Sequence, residues 1–438
     1  MLSAHGVGGG SDLPIPASMA ILGGMAALVV SFAVLAMAWR TPRYESGADG
    51  RPAPAVLARL VDHPVYTVVL RTLGLAGLGF VVLCAVAGKD DLSNPVFGIV
   101  YVLLWVGLVP ASLLLGPVVR ALSPVRTLHY VLTAVLPVDR EHGLVRLPAR
   151  VGKWPAAAGL LAFVWLELVS PSGIELNTLR WSISAYLVLM VGGALVFGAK
   201  WFGQSDPFEV YSTLVGHLSI WGRRADGGLV IRSPLRNLAR VRSGPGLIAV
   251  VAVLLGSTAF DSVAGSVTWL RFTQSTDRNV TFVETALLLL ACGIVGAMYV
   301  AATVAPRPRP GVSRWDLPVA LAHSIVPIVV GYVVAHYVTL LVETGQLTLI
   351  QASDPLGNGA DIFGIADRQV DIWLSLHPSF LASLKVVAIV AGHVIGAVAA
   401  HDRALARLPA NSQTSGQLPL LAVMVAYTFS GLYLLFGL

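Results

Sequence analysis

Apolar residues fill this chain in long runs, separated by short polar stretches that carry nearly all of its charge. Ten runs stand out, near 18–38, 67–88, 95–116, 155–171, 180–200, 246–266, 281–304, 317–342, 379–401 and 417–437. A helix of about 20 apolar residues crosses a hydrocarbon layer of about 30 Å. A span in lipid must satisfy its own backbone hydrogen bonds, and the period-two alternation of a membrane β-strand is missing, so the runs are read as helices. The pattern predicts an all-α fold: a polytopic membrane helical bundle with about ten transmembrane helices. A tail over 1–17 precedes a single transmembrane domain over 18–437.

Composition agrees. Of 438 residues, 56% are hydrophobic and only 12% charged, against about 25% charged in soluble chains. Cys84 and Cys292 both fall inside apolar runs, where packed thiols are expected rather than a disulfide. The first apolar run is long enough to span and begins after residue 17, so no signal peptide is expected.

The net charge of +6 has a topological reading. The segments 39–66, 117–154, 201–245, 305–316 and 402–416 hold 21 Lys and Arg, and the alternate segments hold 4. The basic side faces the cytoplasm, which places both termini outside in a bacterial plasma membrane. The same excess suits contact with anionic head groups of the lipid bilayer. The basic clusters lack interleaved aromatics, so no nucleic-acid partner is expected.

Two basic loops resemble one another. "SPVRTLHYVL" followed by "REHGLVRLPAR" lies within 117–154, and "SDPFEVYSTL" followed by "ADGGLVIRSPLR" lies within 201–245. The offset is 83 residues at Pro124 and Pro207. Each begins an amphipathic segment at a proline and is expected to lie along the interface. Both units enter and leave in the same sense, which predicts an internal parallel repeat.

Ionisable side chains inside spans are costly, so each is a candidate for function. One layer holds Glu167, Asp261, Glu284 and His336 near the extracytoplasmic ends of their helices. A second holds His323 and His393, on antiparallel helices and at similar depth. The histidine pair suits joint ligation of a metal, with haem less favoured, or simple helix–helix hydrogen bonding. A long loop, 343–378, adds Glu343, Asp354, Asp361, Asp367, Asp371 and His377, and its apolar residues predict an ordered cap. Taken singly, these acids read equally well as solvated surface or helix caps. His5, in "MLSAHG", shares that side. As a mature N-terminal residue it would offer an amine and an imidazole nitrogen, a pair that favours copper. There is no P-loop, G-x-S-x-G, H-E-x-x-H or C-x-x-C, so ATP-driven transport and simple serine-hydrolase chemistry lack support.

Several stretches resemble a family of actinobacterial and proteobacterial membrane proteins commonly labelled fenitrothion hydrolase. They are "AHGVGG" with "DLPIP", "STAFDS", "AHSIVPIVVGYVVAHY", "SDPLGNGADIFG" and "GHVIGAVAAHDRAL". The resemblance covers nearly the whole chain and is densest in its last third. It implies hydrolysis of an organophosphate ester by a membrane-bound protein. The family is expected to begin with a signal peptide ending before His-Gly, and this sequence departs there.

Three functions follow as expectations. The first is a metal-dependent enzyme using a divalent ion, copper or zinc. Its ligands are sought among His5, Asp261, Glu284, His336, Asp361, His323 and His393, with Glu167 as general base. The second is a metal-ion or proton-coupled transporter with a path from His336 to His323 and His393. The third is a subunit held among other membrane proteins.

Overall fold

Proline and a capping side chain start many of the helices. Asn94, Ser123 and Asp206 each precede a proline and accept a hydrogen bond from the first-turn backbone. Proline suits that position because the first N–H groups of a helix have no internal partner. The computed structural model describes residues 12–44, 50–275 and 279–436.

In chain order the main helices are α1 (Ala17–Ala38), α2 (Pro64–Ala87), α3 (Pro124–Val135), α4 (Trp154–Leu168), α5 (Leu176–Phe197) and α6 (Pro207–Gly216). They continue as α7 (Leu247–Ala264), α8 (Val280–Val304), α9 (Val326–Thr339), α10 (Pro378–Arg407) and α11 (Leu418–Phe436). Among the described residues, eight helical segments are long and apolar enough to cross a membrane. A ninth would be the pair Pro95–Leu104 and Leu108–Leu115, bent by 47°. The chain is therefore an all-α, multi-pass membrane protein. Of the ten expected spans, the third is this bent pair and the fourth, α4, is only 15 residues long.

The eighth span differs from expectation in length. It runs as one helical segment from Asp316 to Gln351, so the expected loop at 343–378 begins nearly ten residues later. It includes a 3-10 stretch at Ala322–Ile325, just before Pro327, and a π stretch at Leu340–Thr344. The proline ring removes one backbone donor and crowds the preceding turn, which accounts for the tighter winding there.

The chain packs as two units. One comprises Met1–Ala48, Leu238–Leu340 and Ile372–Leu438. In it α7 and α9 are buried over most of their length, while α1, α8 and α11 turn much of their surface outward. The tightest contact joins α9 to α10. A Cβ on Gly331 would lie 2.4 Å from the Ala388 carbonyl oxygen, and one on Gly392 would lie 2.6 Å from that of Pro327. Only hydrogen fits at these two positions, and backbones approach closely through such small residues.

The other unit comprises Asp49–Asn237 and Leu341–Asp371. Its core includes Cys84, Val96, Phe97, Tyr101, Leu176 and Leu179. A small antiparallel sheet joins β1 (Arg51–Pro52), β2 (Trp221–Arg223) and β3 (Leu229–Ile231) in the order β1–β3–β2. Arg126 on α3 grips Glu209 on α6 through two guanidinium nitrogens, at 2.5 and 2.6 Å. Each is the third residue of its helix.

Candidate functional site

Helical spacing sets one face of α9 and one of α7 against each other in the first unit. Tyr332 and His336 are four residues apart and so share a face, as do Thr258 and Ser262. Asp261 and His336 are both buried, at 8% and 5% exposure. Asp261 Oδ2 lies 2.8 Å from His336 Nε2 and accepts a 2.7 Å hydrogen bond from the Tyr337 hydroxyl. The other ring nitrogen, His336 Nδ1, is 3.2 Å from Ser262 Oγ. Ser262 Oγ is also 3.3 Å from the Tyr332 hydroxyl and 3.1 Å from the Thr258 carbonyl oxygen.

These contacts admit two hydrogen-bond patterns that differ by one proton. With a neutral imidazole, Nε2–H donates to Asp261, Ser262 donates to Nδ1, and Tyr332 donates to Ser262. With a charged imidazole, Nδ1–H donates to Ser262, whose hydroxyl turns to the Thr258 carbonyl. A serine oxygen has two acceptor sites and one donor, so it serves in both. The two patterns interconvert on paper by a hydroxyl rotation, with the heavy atoms where they stand.

The remaining expected residues are distributed as follows. Glu284, near the start of α8, accepts a 3.2 Å bond from Trp269 Nε1. His323 Nδ1 bonds the Ala320 carbonyl oxygen at 3.1 Å, and His393 Nδ1 bonds that of Ile389 at 2.9 Å. The α9–α10 register sets Pro327 against Gly392 and Ser324 against Gly396. The backbones of His323 and His393 therefore stand about one helical turn apart in depth, and each ring Nδ1 is tied to a carbonyl of its own helix. His5 lies outside the described residues.

Glu167 and Asp361 belong to the second unit. Glu167, near the end of α4, is close enough to Tyr101 to act on it electrostatically. The Tyr101 hydroxyl itself donates to the Gly173 carbonyl at 2.7 Å. Asp361 closes a turn: its Oδ1 accepts from the Ser353 hydroxyl and from the backbone N–H of Ile365 and Ala366. The Ser353 bond and these backbone bonds hold its carboxyl below the usual range. Asp354 does the same for Asn358 and Gly359.

Among the described residues, two of the expected ligands come together. Zinc sites take three or four protein ligands. Asp261 and His336 supply two, already bonded to each other, and among the described residues no group of three or more His, Cys, Asp or Glu is placed to hold an ion.

Some polar groups escaped the sequence reading. Ser262 and Tyr337 bond to the pair and Tyr332 to Ser262, and their i, i+4 spacing and adjacency to Asp261 and His336 were visible. Lys385, 2% exposed, sits within an apolar stretch of α10, with Asp12 near enough for their charges to attract. Continued one turn past Gly331 and Ala388, the helix register brings Lys385 level with His336. In the second unit Asp206 is fully buried, accepting from Tyr186 and from the backbone of Phe208 and Glu209. No family profile, curated protein or solved structure matches the chain.

Proposed function

We propose that this protein is a proton-coupled membrane transporter in which Asp261 and His336 form the proton-binding site. The carrying observation is the pair of hydrogen-bond patterns that differ by one proton within fixed heavy-atom positions. Intramembrane acid–imidazole pairs suit proton relays, and the buried setting of α7 and α9 keeps bulk water from competing for the proton. The uneven spread of Lys and Arg supports an arrangement with both termini outside, in a bacterial plasma membrane of about ten crossings. The pair then lies toward the extracytoplasmic face. Arg126 and Glu209, which occupy equivalent positions 83 residues apart and bind one another, support a parallel repeat within the second unit.

A second reading has its own observation. Ser262, His336 and Asp261 follow the order hydroxyl, imidazole, carboxylate, which is that of an activated nucleophile. That reading accords with the resemblance to organophosphate-hydrolysing membrane proteins. The proton reading is preferred because the Ser262 hydroxyl also has the Thr258 carbonyl as a partner and Asp261 also takes a bond from Tyr337.

The test is a pH-gradient assay in proteoliposomes loaded with a pH-sensitive dye. Asp261→Asn and His336→Gln are expected to slow proton flux at least about tenfold, which corresponds to about 1.4 kcal/mol. Flux unchanged in both variants would reduce the pair to a structural contact. Covalent labelling of Ser262 by a fluorophosphonate, lost in His336→Gln, would favour the esterase. Bound copper or zinc that disappears in both variants would favour a metal site.

A further inference from the structure

A cavity of about 470 Å³ lies in the first unit, between the segment that follows α8 and the turn that precedes α11. Its volume falls in the range that holds small ligands, about 300–1,000 Å³. Arg307 lines one wall, and Asn411, Ser412 and Ser415 line another. No acidic residue lines it, and three of the lining residues are prolines, which hold the backbone rigid. Arg407 lines an adjoining small cleft that shares Pro306 and Gly416 with the cavity.

The arginines here divide by task. Arg309 is committed to the fold: its guanidinium donates to the Leu405 and Leu408 carbonyl oxygens at the end of α10, at 2.9 and 3.0 Å. Arg307 and Arg407 have no such commitment among the described residues. The cavity thus gathers hydrogen-bond donors and positive charge with no anion to meet them.

We propose that this cavity binds a phosphate group. Guanidinium matches phosphate oxygens in a bidentate fashion, and the amide and hydroxyl donors supply the remaining contacts. The position suits a phospholipid head group, because the apolar runs of α8 and α11 end and begin at its rim. A soluble phosphate presents the same oxygens. The inference rests on this cavity alone and stands apart from the proton reading.

The test uses the full chain, purified and stripped of lipid. Native mass spectrometry follows retention of phosphatidylglycerol against phosphatidylcholine, and calorimetry follows inorganic phosphate. Arg307→Gln, and separately the pair Asn411→Ala with Ser415→Ala, are expected to weaken binding at least about tenfold. Arg120→Gln, an exposed change in the second unit, is expected to leave it intact. Saturable phosphatidylglycerol binding without inorganic phosphate binding assigns the lipid. Competition by inorganic phosphate assigns a soluble ligand, and both results support the site. Failure of the wild-type chain to bind either probe saturably, or equal binding by Arg307→Gln with an unchanged melting temperature, overturns it.

Discussion

Replacing Asp261 by asparagine separates the charge of the candidate site from its shape. Asparagine has the same outline. With its amide oxygen in the place of Oδ2, it accepts from both the Tyr337 hydroxyl and His336 Nε2–H, while Nδ1 accepts from the Ser262 hydroxyl. Every contact made by Asp261 Oδ2 thus keeps a partner, and only the proton acceptor is lost. Alanine, by contrast, strands the Tyr337 hydroxyl and His336 Nε2 in a buried site. An unmet buried group costs about 1–3 kcal/mol. Hydrogen bonds between membrane helices average only about 0.6 kcal/mol, so the lower part of that range applies to each. The expected loss is about 1–3 kcal/mol for Asp261→Ala and under about 1 kcal/mol for Asp261→Asn. The assay pairs thermal unfolding in detergent with dye-reported proton flux in proteoliposomes. The asparagine variant should melt near wild type and carry no protons. If it carries protons at the wild-type rate, or melts as low as the alanine variant, the reasoning fails.

Three further outcomes are expected. Arg126→Ala leaves Glu209 buried without its ion pair and should cost about 3–5 kcal/mol, with most of this recovered in Arg126→Met combined with Glu209→Leu, as read by circular-dichroism melts. Burial pushes the Asp206 carboxyl up from 3.8 to about 6, so folding favours its neutral form. That contribution is complete below about pH 4 and is lost as pH rises through about 6, about 3 kcal/mol at most, and Asp206→Asn should remove this slope from the difference between wild-type and variant melting curves. Gly331→Ala and Gly392→Ala should each destabilise by about 1–3 kcal/mol through overpacking, whereas Gly23→Ala, which meets nothing within 4 Å, should be neutral or slightly stabilising.

Much of the fold was legible because an apolar run of sufficient length has few options in lipid. Length counting does not register a bend, however. The run at 95–116 divides where the chain winds as a π-helix over Ile99–Leu104 and restarts at Leu108. Nor does it register where a helix stops. The segment through Leu340–Gln351 stays helical although Glu343 and Gly345 dilute its hydropathy. At the site, sequence indicated the depth of Asp261 and His336, since both lie a short distance from the end of an apolar run. It gave no means of telling which faces of α7 and α9 meet, and therefore no means of naming Ser262, Tyr332 and Tyr337 as partners. Depth alone set His323 and His393 at one level, whereas the α9–α10 register offsets their backbones by about one turn. Asp361 shows the opposite limit. A glycine-rich, acidic stretch has the composition of a ligand site, and the structure puts one oxygen of the Asp361 carboxylate, Oδ1, to closing a turn. Lys385 was hidden because one cation barely alters the average of a long apolar window.

The absence of side chains at Gly331 and Gly392 has a mechanical consequence. Where backbone rests on backbone, two helices have no cushion of rotamers to absorb sliding, so α9 and α10 travel as one strut. Any rocking that alternately opens the first unit to either side of the membrane must then let this strut shift against its other neighbours, α7 among them. The seam between α9 and α7 is the one bridged by Asp261 and His336. The side chains proposed above to hold a proton therefore sit in a seam that any such motion has to work.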